Sequence, residues 1–331
     1  MNQTILVKTP LRVSFLGGGT DTKDFIEEAG NSIIFGSSIN LFVYTILNKM
    51  PPFAEYPYRF TYRIVENVNH PSEIKHPLVR ETLKEKSWEI PINIATLSDV
   101  PGNSGLGSSS AFAVSFNHAL AAFQGIAISD NVQLANDAVR LEREILHEPG
   151  GIQDQYHCAL GGLRFYNFKQ NGAEISEDFS SSKFGKLLDR RMYLIWTGSE
   201  RSNKYGHPTV TKDGLQSYKS ELREIAASFM SKFDSEVAEA TYESLVDCVN
   251  ASWKLKRRII GPKGVGSADK IVDLLIKRGV DAAKVCGAGG GGFVLALAKE
   301  ENWSLEILQT VGDGNVYKIL TDSFGSRVIH L

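Results

Sequence analysis

The sequence predicts an α+β fold in two units. The first half is dense in β-branched and aromatic runs, and the second half carries long charged helical patterns. That division argues against a sheet built of alternating βαβ units, and there is no internal repeat. At 331 residues, 42% hydrophobic and 22% charged, the chain has ample core for two domains or one large one.

The elements follow in order. Residues 5–18, ILVKTPLRVSFLGG, are β-prone on both sides of Pro10, which marks an edge position or a break in pairing. Residues 31–47 read as one or two strands. Pro- and aromatic-rich residues 51–60 read as a loop, 61–68 as a strand, 76–87 as a short helix and 90–97 as an alternating strand. A buried helix is expected over 111–123. A second covers 129–148, capped by Ser129 or Asp130, with Leu134, Ala138, Leu141 and Ile145 as its stripe. Pro149-Gly150-Gly151 ends it, and 163–168 is a strand. The polar stretch that follows suggests a boundary, giving units 1–165 and 166–331. In the second unit, 191–198 reads as a buried strand, 214–260 as helix, and 267–279 as a helix stopped by Gly279. Residues 282–298 form a Gly-rich turn feeding a strand, and 303–331 a helix and then a strand.

Bulk properties exclude some classes. A net charge of −2 leaves no electrostatic footprint for nucleic acid. Cys158, Cys248 and Cys286 are widely spaced with no C-x-x-C, which argues against a disulfide scaffold or a zinc site. The segment MNQTILVKTPLR lacks a long apolar core, and no run approaches ~20 apolar residues, so neither a signal peptide nor a membrane span is expected. The expectation is a soluble cytoplasmic protein, monomer or homodimer.

The chemistry concentrates in PGNSGLGSSS, residues 101–110, which opens the 111–123 helix. Free N–H groups of a first helical turn face an anion there, glycines allow close approach, and serines add hydroxyls. Residues 102–109 resemble a P-loop, but Ser108 stands where that motif needs lysine. Residues 287–292, GAGGGG, formally match a dinucleotide fingerprint, but a helical-looking piece precedes them and a strand follows. They read instead as a close backbone approach to a ligand or to the first loop.

Three motifs stand in order: TPLRVSFLGGGTD (9–21), PGNSGLGSSSA (101–111) and KVCGAGGGGF (284–293). This set resembles the GHMP kinase superfamily. The resemblance implies a ribosomal-protein-S5-like first domain, a ferredoxin-like second domain, and ATP in the cleft on Pro101, Gly102, Ser104, Gly105, Leu106, Gly107, Ser108, Ser109 and Ser110. GGIQDQ (150–155) resembles the segment carrying the catalytic aspartate, which maps to Asp154. By the same resemblance Glu142 and Ser109 are ligands of Mg2+, with Ser108 and Ser110 nearer the phosphates. Arg12 steadies Asp154 and the transferring group, and Asp21 holds sugar hydroxyls. On composition alone Glu144 is an equal candidate to Glu142. Whether Asp154 is a base or only orients the hydroxyl stays open. His118 reads as a packed or capping residue and Cys158 and Cys286 as small buried residues, while His147 and His157 flank the site with no direct role expected.

Galactokinases of this superfamily carry Gly-Glu-His where this chain has Gly17, Gly18 and Gly19. LGGGTD resembles instead the branch that phosphorylates the anomeric hydroxyl of D-glycero-D-manno-heptose 7-phosphate, and fucokinase-type domains share GGGTD. The substrate, a small-molecule sugar phosphate, is expected against Gly17, Gly18, Gly19, Thr20, Asp21, Gly151, Gly289 and Gly290. Arg201, Lys204, Arg190 and Arg191 are candidates for its phosphate. A kinase for another sugar, or a non-catalytic sugar and ATP sensor of the same fold, stands as the alternative.

Overall fold

The computed structural model describes residues 4–200, 212–265, 267–299, 311–312 and 314–329. Two sheets organise these residues. The first has eight strands and is built on β1 (Thr4–Leu16) and the 19-residue β2 (Asn31–Lys49), paired antiparallel along most of their length. The other edge of β2 is shared. Its first part pairs with β6 (Leu163–Lys169) and its last part with β5 (Ile92–Ser98). β3 (Tyr58–Thr61) and β4 (Val65–Val68) extend the β5 side, and β7 (Gly172–Ile175) pairs with β6. The second sheet holds β8 (Met192–Trp196), β9 (Ala282–Val285), β10 (Phe293–Leu297) and β11 (Val316–Lys318) in the order β11-β8-β10-β9. Counted along the chain this is 4-1-3-2, all antiparallel, the ferredoxin-like order expected. β12 (Arg327–Ile329) returns the chain to β1 of the first sheet.

The helices are α1 (Lys23–Ala29), α2 (Pro77–Glu85), α3 (Ser108–Phe123), α4 (Asn131–Arg140), α5 (Gln153–Leu160), α6 (Lys183–Arg191), α7 (Lys212–Lys232), α8 (Ala238–Val265) and α9 (Ser267–Lys277). α3 and α5 pack on β1 and β2, and α8 and α9 pack on β9. One hydrophobic core runs through both units. Phe35 of β2 is its hub, with its ring against Phe15, Phe165 of β6, Phe184 of α6 and Phe229 of α7. Each such ring contributes roughly 1.5–3 kcal/mol by burial, which holds the first sheet against the helices that lead to the second.

Several expectations change. Pro10 sits inside β1 at a register shift, so it marks the break predicted. The strand expected at 61–68 and the end of the 51–60 loop become the β3–β4 hairpin, because β3 finds a parallel partner in the distant β5. The 129–148 helix is α4 followed by a π-helical turn, Leu141–Ile145, closed by Leu146 N–H to the Leu141 carbonyl. The piece before GAGGGG is strand β9, not helix, so the glycines join two strands. Helices α1, α5 and α6 had no counterpart in the sequence reading. A division at residue 165 falls within β6, whereas sheet membership changes between β7 and β8. The helix expected from 303 lies outside the described residues.

Candidate active site

Arg12 and Asp154 meet although they are 142 residues apart. Arg12 lies on β1, and Asp154 in the first turn of α5. The guanidinium grips the carboxylate in a fork: Nε donates to Oδ1 at 2.7 Å and Nη2 to Oδ2 at 2.6 Å. Nη1 donates to the Gly105 carbonyl at 2.6 Å, and the Arg12 main-chain N–H donates to the Leu106 carbonyl at 3.1 Å. Two hydrogen bonds therefore tie the ion pair to the 101–110 loop. Burial disfavours the charge on Asp154, but the Arg12 charge and its paired hydrogen bonds win and hold the carboxyl below its ordinary range. The pair is not sealed, since the Asp154 side chain keeps 23% of its surface exposed.

The loop itself is shaped for this approach. Gly107 adopts φ +78°, and a Cβ there would stand 3.3 Å from Arg12 Cγ and Nε. α3 begins at Ser108, directly after the loop, with no side-chain cap on its first-turn N–H groups. Leu106 is wholly buried; it serves the loop through core packing and its carbonyl. Pro101 and Gly102 are exposed, Ser104 and Ser110 are buried, and Ser109 is exposed.

Ser109 and Glu142 form a second pair. The Ser109 hydroxyl donates to Glu142 Oε1 at 3.1 Å, and Gln155 Nε2 donates to Oε2. Glu142 sits on the π-helical turn with 1% exposure. Burial pushes its carboxyl up, because its direct partners are neutral. Hard oxygens, one carboxylate and one hydroxyl, suit Mg2+. Among the described residues no group of three or more His, Cys, Asp or Glu could hold a metal. A cation there would take its remaining ligands from phosphate and water, as Mg2+ commonly does.

The turn Gly17–Asp21 continues β1 past Arg12. Gly17, at φ +78°, presses on the Ile33 carbonyl so closely that any Cβ would collide. Thr20 is buried, its hydroxyl donating to the Gly17 carbonyl and sharing a hydrogen bond with Ser32. Asp21 is buried and accepts from Gly19 N, Gln153 N and Gln153 Nε2. Burial pushes its carboxyl up, opposed by these bonds. A side chain at Gly151 would strike the Asp21 carboxylate. Gly18 lies beside Ser14 and Gln153, while a Cβ at Gly19 would meet nothing within 4 Å.

The third glycine stretch approaches the first loop. The Phe293 N–H donates to the Ser104 carbonyl at 3.1 Å, a Cβ at Gly105 would come 2.8 Å from the Cys286 carbonyl, and one at Gly292 would collide with Ser104. Gly289 and Gly290 lie in this hairpin at positive φ. Of the phosphate candidates, Arg191 is paired with Glu239 and stacked on Tyr242, and Arg190 is exposed. Arg201 and Lys204 lie outside the described residues. Two residues escaped the sequence reading although their motifs were noticed: Gln153, inside GGIQDQ, and Lys284, which opens KVCGAGGGGF and reaches the end of β1. His157, on α5, is fully buried with neither ring nitrogen bonded.

Residues 74–162 match the GHMP kinases N terminal domain, and residues 236–311 match the GHMP kinases C terminal family. A D-glycero-alpha-D-manno-heptose 7-phosphate kinase of Campylobacter jejuni is 26% identical over 88% of this chain and 88% of its own. A bifunctional fucokinase/GDP-fucose pyrophosphorylase of Arabidopsis thaliana is 24% identical over 92% of this chain and 30% of its own. The solved structure of a D-glycero-D-manno-heptose 1-phosphate kinase from Bacteroides thetaiotaomicron superposes with a TM-score of 0.76 at 18% identity, covering 99% of both chains.

Proposed function

Because the chain belongs to the GHMP kinases, we propose that it transfers the γ-phosphoryl group of ATP to the anomeric hydroxyl of D-glycero-D-manno-heptose 7-phosphate, giving the 1,7-bisphosphate. The observation that carries this reading is the shared strand β1. It sets Arg12, locked to Asp154, a few residues before a Gly17–Asp21 turn that has no side chain at three successive positions. The 26%-identical relative named for a heptose 7-phosphate supports the acceptor. Such a product suits nucleotide-activated heptose synthesis for surface polysaccharide in the cytoplasm. No helix of the described residues is long and apolar enough to cross a membrane.

The residues divide the work of phosphoryl transfer, which needs positioning and charge stabilisation more than covalent chemistry. The first-turn N–H groups of α3, with Ser108 and Ser110, hold the triphosphate. Ser109 and Glu142 are the Mg2+ ligands, and the metal supplies neutralisation of phosphate charge when bound. Arg12 stabilises charge on the transferring group. Asp154 has both oxygens engaged by Arg12 and a carboxyl held low, so it orients the acceptor hydroxyl more than it strips its proton. Asp21 holds sugar hydroxyls beside Gly151, and Gly19 leaves open the space that a longer sugar needs.

A coupled ADP-release assay over free and phosphorylated sugars tests the reading. Turnover of heptose 7-phosphate supports it. Turnover of L-fucose or galactose alone sinks the acceptor and favours the second reading, an anomeric kinase of the fucokinase type, to which the GGGTD turn and the Arabidopsis relative point.

A further inference from the structure

β1 outruns its neighbour β12, which pairs only with Leu6, Val7 and Lys8. Beyond that point two groups from elsewhere serve the strand. The Leu106 carbonyl accepts the Arg12 N–H, and Lys284 donates from Nζ to the Ser14 carbonyl at 3.0 Å and to the Phe15 carbonyl at 2.9 Å. Successive carbonyls of a regular strand point to opposite sides. Here the register shift between Ser14 and Leu16 turns both towards one donor. Lys284 belongs to β9 of the second sheet. The bond therefore crosses 270 residues and joins the two sheets next to the turn that carries Gly17–Asp21.

We propose that Lys284 is a positioning residue of the sugar site: its ammonium clamps the end of β1 to the second sheet and so fixes the Gly17–Asp21 turn relative to Arg12 and the glycine hairpin. An ammonium suits this place because it brings three donors and no acceptor to two carbonyls that lie beyond the reach of β12. Cys286, two residues on, faces Gly105 of the first loop, so the same short segment touches the sugar side and the phosphate side of the cleft. Burial, with Arg12 adding repulsion, lowers the Lys284 pKa to about 8. The groups around it do not blur that titration. Arg12 stays charged and paired with Asp154, burial pushes the Cys286 thiol up, and Lys256 of α8 is turned to the Gly287 carbonyl. As pH rises through about 8, Lys284 loses its proton and the clamp weakens.

The kinetic arm rests on the sugar-kinase reading; a second arm needs no substrate. In Lys284→Met the sugar KM is expected to rise about tenfold or more with the ATP KM within about twofold, and Lys284→Arg restores most of it. The wild-type sugar KM rises above pH about 8, and that rise disappears in Lys284→Arg. Hydrogen exchange of the free protein reports the clamp directly. Amides of residues 13–20 exchange about tenfold faster in Lys284→Met, with the thermal midpoint little changed, and return towards wild type in Lys284→Arg. Unchanged exchange and unchanged sugar KM in Lys284→Met overturn the proposal, as does an alkaline rise that persists in Lys284→Arg. A wild type that turns over no sugar defeats the function reading alone, and exchange still decides on Lys284.

Discussion

Asp154 and Glu142 are both carboxylates at the candidate site, and the fold holds them in opposite ways. Asp154 has a resident cation, Arg12, on both oxygens, and its carboxyl is held low. Glu142 is more deeply buried, its oxygens meet a hydroxyl and an amide, and its carboxyl is pushed up. The first is a finished ion pair. The second is a buried carboxylate whose direct partners are neutral, which is costly until a cation arrives. Under the proposed function, the first would orient the substrate and the second would receive the metal.

Breaking the finished pair has the largest effect. Asp154→Ala is expected to cut kcat by about a thousandfold while ATP still binds, measured by steady-state kinetics and titration calorimetry. It also strands the Arg12 guanidinium and costs about 3 kcal/mol of stability by denaturant unfolding. Retained turnover would remove Asp154 from its role.

His157 sharpens the comparison as a buried titratable group with no hydrogen-bond partner. Burial, then the nearby Arg12 charge, lower its pKa to about 3 from 6.5. Between those values the unfolded chain takes up a proton that the folded chain refuses. Stability therefore falls as pH drops from 6.5 towards about 3, by up to ~1.4 kcal/mol per pH unit. Asp154, held low, loses its contribution further down, as pH falls below its unfolded value. The thermal midpoint against pH should flatten in His157→Gln; an unchanged slope would assign the acid limb elsewhere.

Glu142→Gln tests the waiting carboxylate. It should raise the Mg2+ concentration for half-maximal activity by about tenfold or more. It should leave the thermal midpoint equal or higher, because a buried charge has been removed at constant shape. A lower midpoint with unchanged Mg2+ dependence would make Glu142 structural.

The smallest effect concerns the loop under Arg12. Gly107→Ala puts a side chain at φ +78° and 3.3 Å from Arg12, at a cost of about 1–2 kcal/mol and with reduced kcat. Gly102→Ala, with open space and no positive φ, should leave stability unchanged. Equal effects would show that the loop does not brace the pair.

The legible parts of this protein are local. PGNSGLGSSS announces a helix-opening loop because glycines, serines and the following apolar run all act within a few residues. The alternation of β5 and the stripe of α4 are legible for the same reason. α5 was hidden because Gln153, Gln155 and His157 are polar yet buried, so its pattern shows no apolar face. The β3–β5 pairing was hidden because parallel partners are joined through chain that carries no register signal. Gln153 and Lys284 stood inside noticed motifs, but their roles depend on Asp21 and on two β1 carbonyls far away in sequence.

By itself the sequence determined which residue types stand where: an arginine on a strand, an aspartate after two glycines, a serine opening a helix, a glutamate on the helix before. Only the tertiary structure decided their charge states and partners. A carboxylate's pKa is set by what lies within a few ångströms. For Asp154 that is Arg12 on a strand 142 residues away, and for Glu142 it is neutral donors at a buried position.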